Sequence, residues 1–168
     1  MAMGEAGMRE FHDMGAFAQH LLTLAVAQHE ADKNTLERGA RMIEARAKAK
    51  IGEYQQQVGP FIAWPELAES TKADRAAQGY PEDEPLLRTG EIRDSIGHVL
   101  AMDSMEAQIG SNDDKAVWQE LGTQHIPPRS FLGGAAAEKA PEICEIAARN
   151  VVVALVGADV FGGMLLIE

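Results

Sequence analysis

Aromatic residues are scarce in this chain. They make up 5% of its 168 residues, as two Trp, two Tyr and five Phe. With so few rings, a core has to be filled by Ala, Leu, Ile, Val and Met, which suits closely packed helices. Cysteine is scarcer still: Cys144 stands alone. No internal disulfide can form, which fits a reducing compartment. No histidine lies near Cys144 in sequence, so it is expected to be a buried structural thiol rather than a nucleophile. Long hydrophobic runs are missing too. The longest, 151–156, is far short of the roughly 20 residues that span a bilayer. The opening MAMGEAGMREFHDMG lacks the basic start and apolar stretch of a signal peptide. The expectation is a soluble cytosolic product without a membrane partner.

Basic clusters are absent as well. The formal net charge is −11, which opposes nonspecific binding to a phosphate backbone or an anionic membrane. The Lys and Arg residues of 38–50 are spaced among alanines and Glu44, with Glu37 just before them. No phosphate-binding glycine loop or dinucleotide fingerprint occurs. His29-Glu30 opens a His-Glu-x-x-His pattern, but residue 33 is Lys. The five histidines, at 12, 20, 29, 98 and 125, are scattered. Those at 12, 20 and 29 are eight and nine apart, whereas ligands on one helix face stand three or four apart. Neither an enzyme nor a metal or cofactor site is expected.

One domain over 1–168 is what this length supports. After a loose start over 1–10, Phe11, Met14, Ala18, Leu21 and Ala25 step by three or four. The stripe lapses over 29–33 and resumes at Leu36, Ala40, Ile43, Ala47, Ile51, Tyr54 and Val58, until Gly59-Pro60 stops it. A helix over 13–58 would be about 69 Å long at ~1.5 Å per residue. A compact domain of this size is roughly 40 Å across. Such a helix either breaks near 29–34 or projects and packs on another subunit.

Residues 60–90 read as an irregular segment with a short helix over 66–77 and an exposed acidic loop, Glu82-Asp83-Glu84. A short helical turn should end near Ile96. Period-two alternation then marks a hairpin, with Ile96, His98, Leu100 and Met102 on one strand and Met105, Ala107 and Ile109 on the other. Ser111 or Asn112 caps a helix over 113–121, with Asp113 and Asp114 at its positive end. Val117, Trp118 and Leu121 lie on adjoining turns, with Trp118 and Leu121 expected to anchor the start of a connector, 120–136. In that connector Pro127-Pro128 hold the chain extended. Phe131 and Leu132 pin its end to the core, and Gly133-Gly134 permit the turn into a last helix over 135–157. Pro141 should kink or restart that helix. Arg129 is either a surface arginine or a guanidinium held toward a carboxylate, within the subunit or across a boundary. The tail over 158–168, with Phe161, Met164, Leu165, Leu166 and Ile167, either folds back or docks on a neighbour. The fold class is α+β: a small antiparallel sheet, of three or four strands, packed against a long N-terminal helix and a C-terminal helix.

Several motifs occur in order. Trp64-Pro65-Glu66-Leu67 leads, then Leu87-Arg88-Thr89-Gly90-Glu91-Ile92, Ser95-Ile96 and Ile109-Gly110. Val117-Trp118, Gly122-Thr123 and Ile126-Pro127-Pro128-Arg129-Ser130-Phe131-Leu132 complete the series. Over residues 64–136 this resembles the virion-morphogenesis, or tail-completion, family of tailed bacteriophages, with its W-x-x-L, T-G-x-L-x-x-S-I, G-T and I-P-A-R-P-F-L series. The chain departs from that series in Ile92 for Leu, in Val117-Trp118 for Tyr-Ala, and in Pro128 and Ser130 beside Arg129. The resemblance implies a structural virion protein at the head–tail junction, present in the host cytoplasm during assembly. It also implies a homo-oligomeric ring, hexameric by the symmetry of such tails. Partners would be neighbouring neck, tail-tube or head-closure proteins, and DNA would pass through without specific binding. A tail terminator or head-closure protein of the same neck is the near alternative. A small cytosolic enzyme or ligand-binding domain is the distant one.

Overall fold

Helix α1, Met14–Lys50, begins where Asp13 caps it, its Oδ1 accepting from Ala16 N at 2.8 Å. The described residues of this computed structural model are 10–101, 103 and 105–156. Helix α1 is unbroken through 29–34, where the apolar stripe lapses. That stretch contains neither Gly nor Pro, and side-chain pairs knit it: Lys33 with Glu30 at 3.0 Å, and Gln28 with Asp32 at 2.7 Å. The helix stops at Lys50, short of the expected Val58. Gly52 takes φ +101, a left-handed setting, and donates its N–H to Pro85 O at 2.8 Å. Ile51 and Tyr54 keep their place on the core beyond the helix. The apolar spacing therefore outlasts the helical backbone.

After a non-helical passage come α2, Glu69–Ala77, and α3, Glu91–Ser95. Strands β1, Ile96–Ala101, and β2, Glu106–Ser111, pair antiparallel, Ile96 opposite Ser111 and Ala101 opposite Glu106. Among the described residues the sheet has these two strands, fewer than the three or four expected. Helix α4, Asp114–Leu121, is capped by Asp113 rather than by Ser111 or Asn112. The Asp113 side chain accepts from Lys115 N at 2.9 Å, while Ser111 Oγ accepts from Asp113 N at 3.0 Å. Helix α5, Leu132–Val156, runs through Pro141 as one element and starts three residues earlier than expected. The fold is α+β, with a small antiparallel sheet packed near a long N-terminal helix and a C-terminal helix.

Helices α1 and α5 lie antiparallel. Glu138 reaches Arg46 and Lys50, Ile143 lies over Gly39, 3.3 Å from where a Cβ would stand, and Asn150 bonds Thr35 at 2.6 Å. Cys144 is exposed, contrary to expectation. Ile143 faces α1, so the next residue, about 100° further round, faces away. The core sits at one end of α1, where Ala47, Ile51, Trp64, Ile96, Phe131 and Ala135 meet. His98 of β1 contacts Glu44 and ties the sheet to α1.

The other end of α1 projects. Its 37 residues span about 55 Å, more than the roughly 40 Å of a compact domain of this size. Met14, Leu21, Leu22 and Val26 are 77%, 48%, 62% and 65% exposed. The stripe that sequence spacing assigns to a core is here a bare face.

Lys50 is almost fully buried, and its ammonium is held by Glu138 and by Gln55 Oε1 at 3.1 Å. The bonds from Arg46 and then Lys50 hold the Glu138 carboxyl below its ordinary 4.5. A lowered folded value means that this contribution is full above about 4.5 and fades as pH falls through the folded value. Glu138→Gln should therefore lower the melting temperature at neutral pH, and the gap to wild type should close in acid. A gap of equal size at both pH values would show that Glu138 acts only by packing.

Candidate functional site

The connector 120–136 is rigid, but by different means from those its prolines suggest. It folds back on α4. Gly122 takes φ +76, and a Cβ there would stand 2.9 Å from Ile126 O and from Pro128 N. Thr123 N bonds Ile126 O at 2.8 Å, and Thr123 Oγ1 accepts from His125 N and Ile126 N at 3.2 and 3.1 Å. Arg129 N then bonds Gln119 O at 2.7 Å. The chain is a closed turn before the prolines and only then leads into α5.

Glu120 fixes the start of α5. Its carboxylate accepts from Phe131 N at 2.7 Å, Leu132 N at 2.9 Å and Gly133 N at 2.8 Å. Three otherwise orphan N–H groups of a helix N-terminus share one anion, which the helix dipole also favours. Gly133 and Gly134 lie inside α5 rather than forming a turn before it. The Phe61 ring occupies the place of a Gly133 side chain, 2.5 Å from an ideal Cβ. Phe131 is fully buried and Leu132 packs beside it, both as expected. Trp118 and Leu121 anchor nothing: they are 51% and 74% exposed, and Ala116 is the residue of α4 that enters the core.

Arg129 fits neither sequence reading. It is 5% exposed, and its guanidinium reaches backbone carbonyls, Pro65 O at 2.9 Å and Glu66 O at 3.3 Å, rather than a carboxylate. Burial pushes its pKa down from the ordinary value, and Arg75 adds to the shift. Arg75 is built alike. It is 7% exposed and donates to Glu84 O at 2.6 Å and Leu87 O at 3.2 Å. Both guanidiniums staple loop carbonyls that no strand satisfies. Arg129→Ala should lower stability by about 2–3 kcal/mol, since a bond to a charged donor is worth about 1.5–3 kcal/mol and two carbonyls lose theirs. Chemical denaturation measures this, and an unchanged midpoint would contradict the stapling role.

Between the two arginines opens a groove of about 750 Å³. Leu67, Leu86, Ile92, Trp118 and Ile126 supply apolar wall. Leu86 takes φ +65, a left-handed setting that non-glycine residues seldom adopt. Arg75, Arg88, Lys115 and Arg129 line the groove, with Glu66 and Glu91 as its carboxylates. With His125 neutral, four cations against two carboxylates leave +2, in a chain of −11. Lys115 pairs with Glu91 at 2.8 Å and Arg88 with Asp74 at 3.6 Å. Sequence reading missed this groove, because its arginines come from three separate segments. Asp83 of the acidic loop is tied down, accepting from Tyr54 Oη at 2.6 Å. Among the described residues no three His, Cys, Asp or Glu side chains cluster as metal ligands, and no helix is long and apolar enough to cross a membrane. Phe161, Met164, Leu165, Leu166 and Ile167 lie outside the described residues.

No protein-family model, curated protein or solved structure matches this chain significantly.

Proposed function

We propose that this chain is a structural subunit of a phage neck, a tail-completion component that assembles as a ring at the head–tail junction. The observation that carries the reading is the projecting half of α1. A helix longer than the body it belongs to, with Leu21, Leu22 and Val26 bare along it, is an association surface awaiting a neighbour. Val151 and Val152 of α5 are 38% and 44% exposed, so apolar surface is also open on the partner helix of α1. The resemblance of the ordered motifs over 64–136 supports the location, and the hexameric order comes from the same resemblance. Acidic side chains facing the channel would let DNA pass without sticking. A ring lumen lined by Lys and Arg would overturn that last point.

Labelling the chain in assembled particles and locating the label by electron microscopy tests the proposal. The label is expected at the head–tail junction, and label elsewhere or none would overturn it. Pulldown with portal-side against tail-tube proteins separates tail completion from tail terminator or head closure. The groove favours a second reading of another class, a small ligand-binding domain or enzyme. That reading predicts a monomer or dimer whose groove alone is functional.

A further inference from the structure

We propose that the cationic groove is a docking site for the stretch 160–168, VFGGMLLIE, of a second copy of this chain. The groove asks for a ligand of two kinds at once. Arg75 and Arg129 are buried cations that, among the described residues, have no carboxylate in salt-bridge range and are held by neutral carbonyls. A carboxylate brought to those two meets unneutralised charge at low local dielectric, with Arg88, already paired with Asp74, at the exposed rim. The walls, by contrast, are apolar, and Trp118 stands half-bare among them. A bare inorganic anion leaves those walls wet, whereas a peptide with bulky aliphatic side chains and one acid covers both kinds of surface.

The polar atoms point the same way. Arg129 Nε and Gln119 Oε1 are buried without a hydrogen-bond partner among the described residues, and both residues line the groove. Their backbones are hydrogen-bonded to each other.

The stretch 160–168 has this chemistry, with Leu165, Leu166 and Ile167 followed by Glu168. Geometry favours a second copy as its source. Helix α5 starts beside the groove, at the residues that Glu120 caps, and its 25 residues carry the chain about 37 Å away. The twelve residues after it, 157–168, reach at most about 40 Å when fully extended. Return to the same groove would need an almost straight path back along α5. A neighbour's groove needs none. Such head-to-tail exchange closes rings. The inference rests on the ring reading only in taking the second copy as the source.

The test uses the full chain carrying Glu168→Lys as receptor and a fluorescent peptide of 160–168, acetylated and amidated so that Glu168 is its one charge. Anisotropy should show saturable binding. Binding should weaken at least about tenfold with a Glu168→Lys peptide, and likewise when the receptor also carries Arg88→Glu or Trp118→Ala. Both receptor sites are exposed, and circular dichroism melts confirm that the fold is kept. No saturable binding, or binding that none of these changes weakens, overturns the proposal, as does binding of inorganic phosphate without the peptide. Peptide binding by this receptor, with the unsubstituted chain monomeric at every concentration, keeps the docking site and removes the second copy and the ring. A ring without peptide binding does the reverse.

Discussion

Replacing Leu22 and Val26 together by glutamate (Leu22→Glu, Val26→Glu) should weaken self-association by about three orders of magnitude. Each side chain is more than half exposed in the single chain, and burial in an interface stabilises by about 2 kcal/mol per residue of this size. Two such losses amount to about 4 kcal/mol, or roughly a thousandfold in association. Glutamate adds the desolvation of a charge. The fold of the subunit should be untouched, because neither residue belongs to its core. Sedimentation at several concentrations reads the association and a thermal melt reads the fold. A double variant that associates as tightly as wild type would remove α1 from the interface. One that melts early would show that α1 is packed within its own chain.

Glu120→Ala should have the largest effect on the subunit itself, lowering stability by about 3 kcal/mol. It removes one carboxylate from three backbone N–H groups at the start of α5. Loss of a single cap costs about 1 kcal/mol, and a buried donor left unmet costs about 1–3 kcal/mol. For a chain of this length that is a fall of roughly 6–12 °C in melting temperature. Glu120→Gln tests the charge apart from the geometry, because the amide keeps one acceptor oxygen and should recover part of the loss. Equal loss in both variants would mean that the anion at the helix dipole matters more than the hydrogen bonds.

Local order was largely legible from spacing. The hairpin, α4 and the acids at its start follow from alternation and capping residues that act within a few positions. The continuity of α1 was not, because an apolar stripe reports which face is buried, not whether the helix persists. Its N-terminal half is helical without being covered. Its end at Lys50 was equally hidden, since Ile51 and Tyr54 keep core contacts on a non-helical backbone. At the site, stiffness could be read from Pro127 and Pro128, whereas the partners could not. Arg129 bonds carbonyls of residues 65 and 66, and Glu120 reaches forward eleven to thirteen residues to cap α5. Only the folded turn at Thr123 brings Glu120 there. Trp118 looked like an anchor because large apolar residues usually are. In α4 the small Ala116 takes the inner position, leaving Trp118 on the groove wall.

The oligomeric mass of the full chain in solution tests the central claim most directly. Light scattering coupled to size separation, repeated over a range of concentrations, should show a species near six times the single-chain 18.1 kDa, growing at the expense of smaller ones as concentration rises. A ring should then be visible in negative stain. A single species of 18.1 kDa at every concentration, with the bare face of α1 still exposed to proteolysis, would contradict a ring subunit.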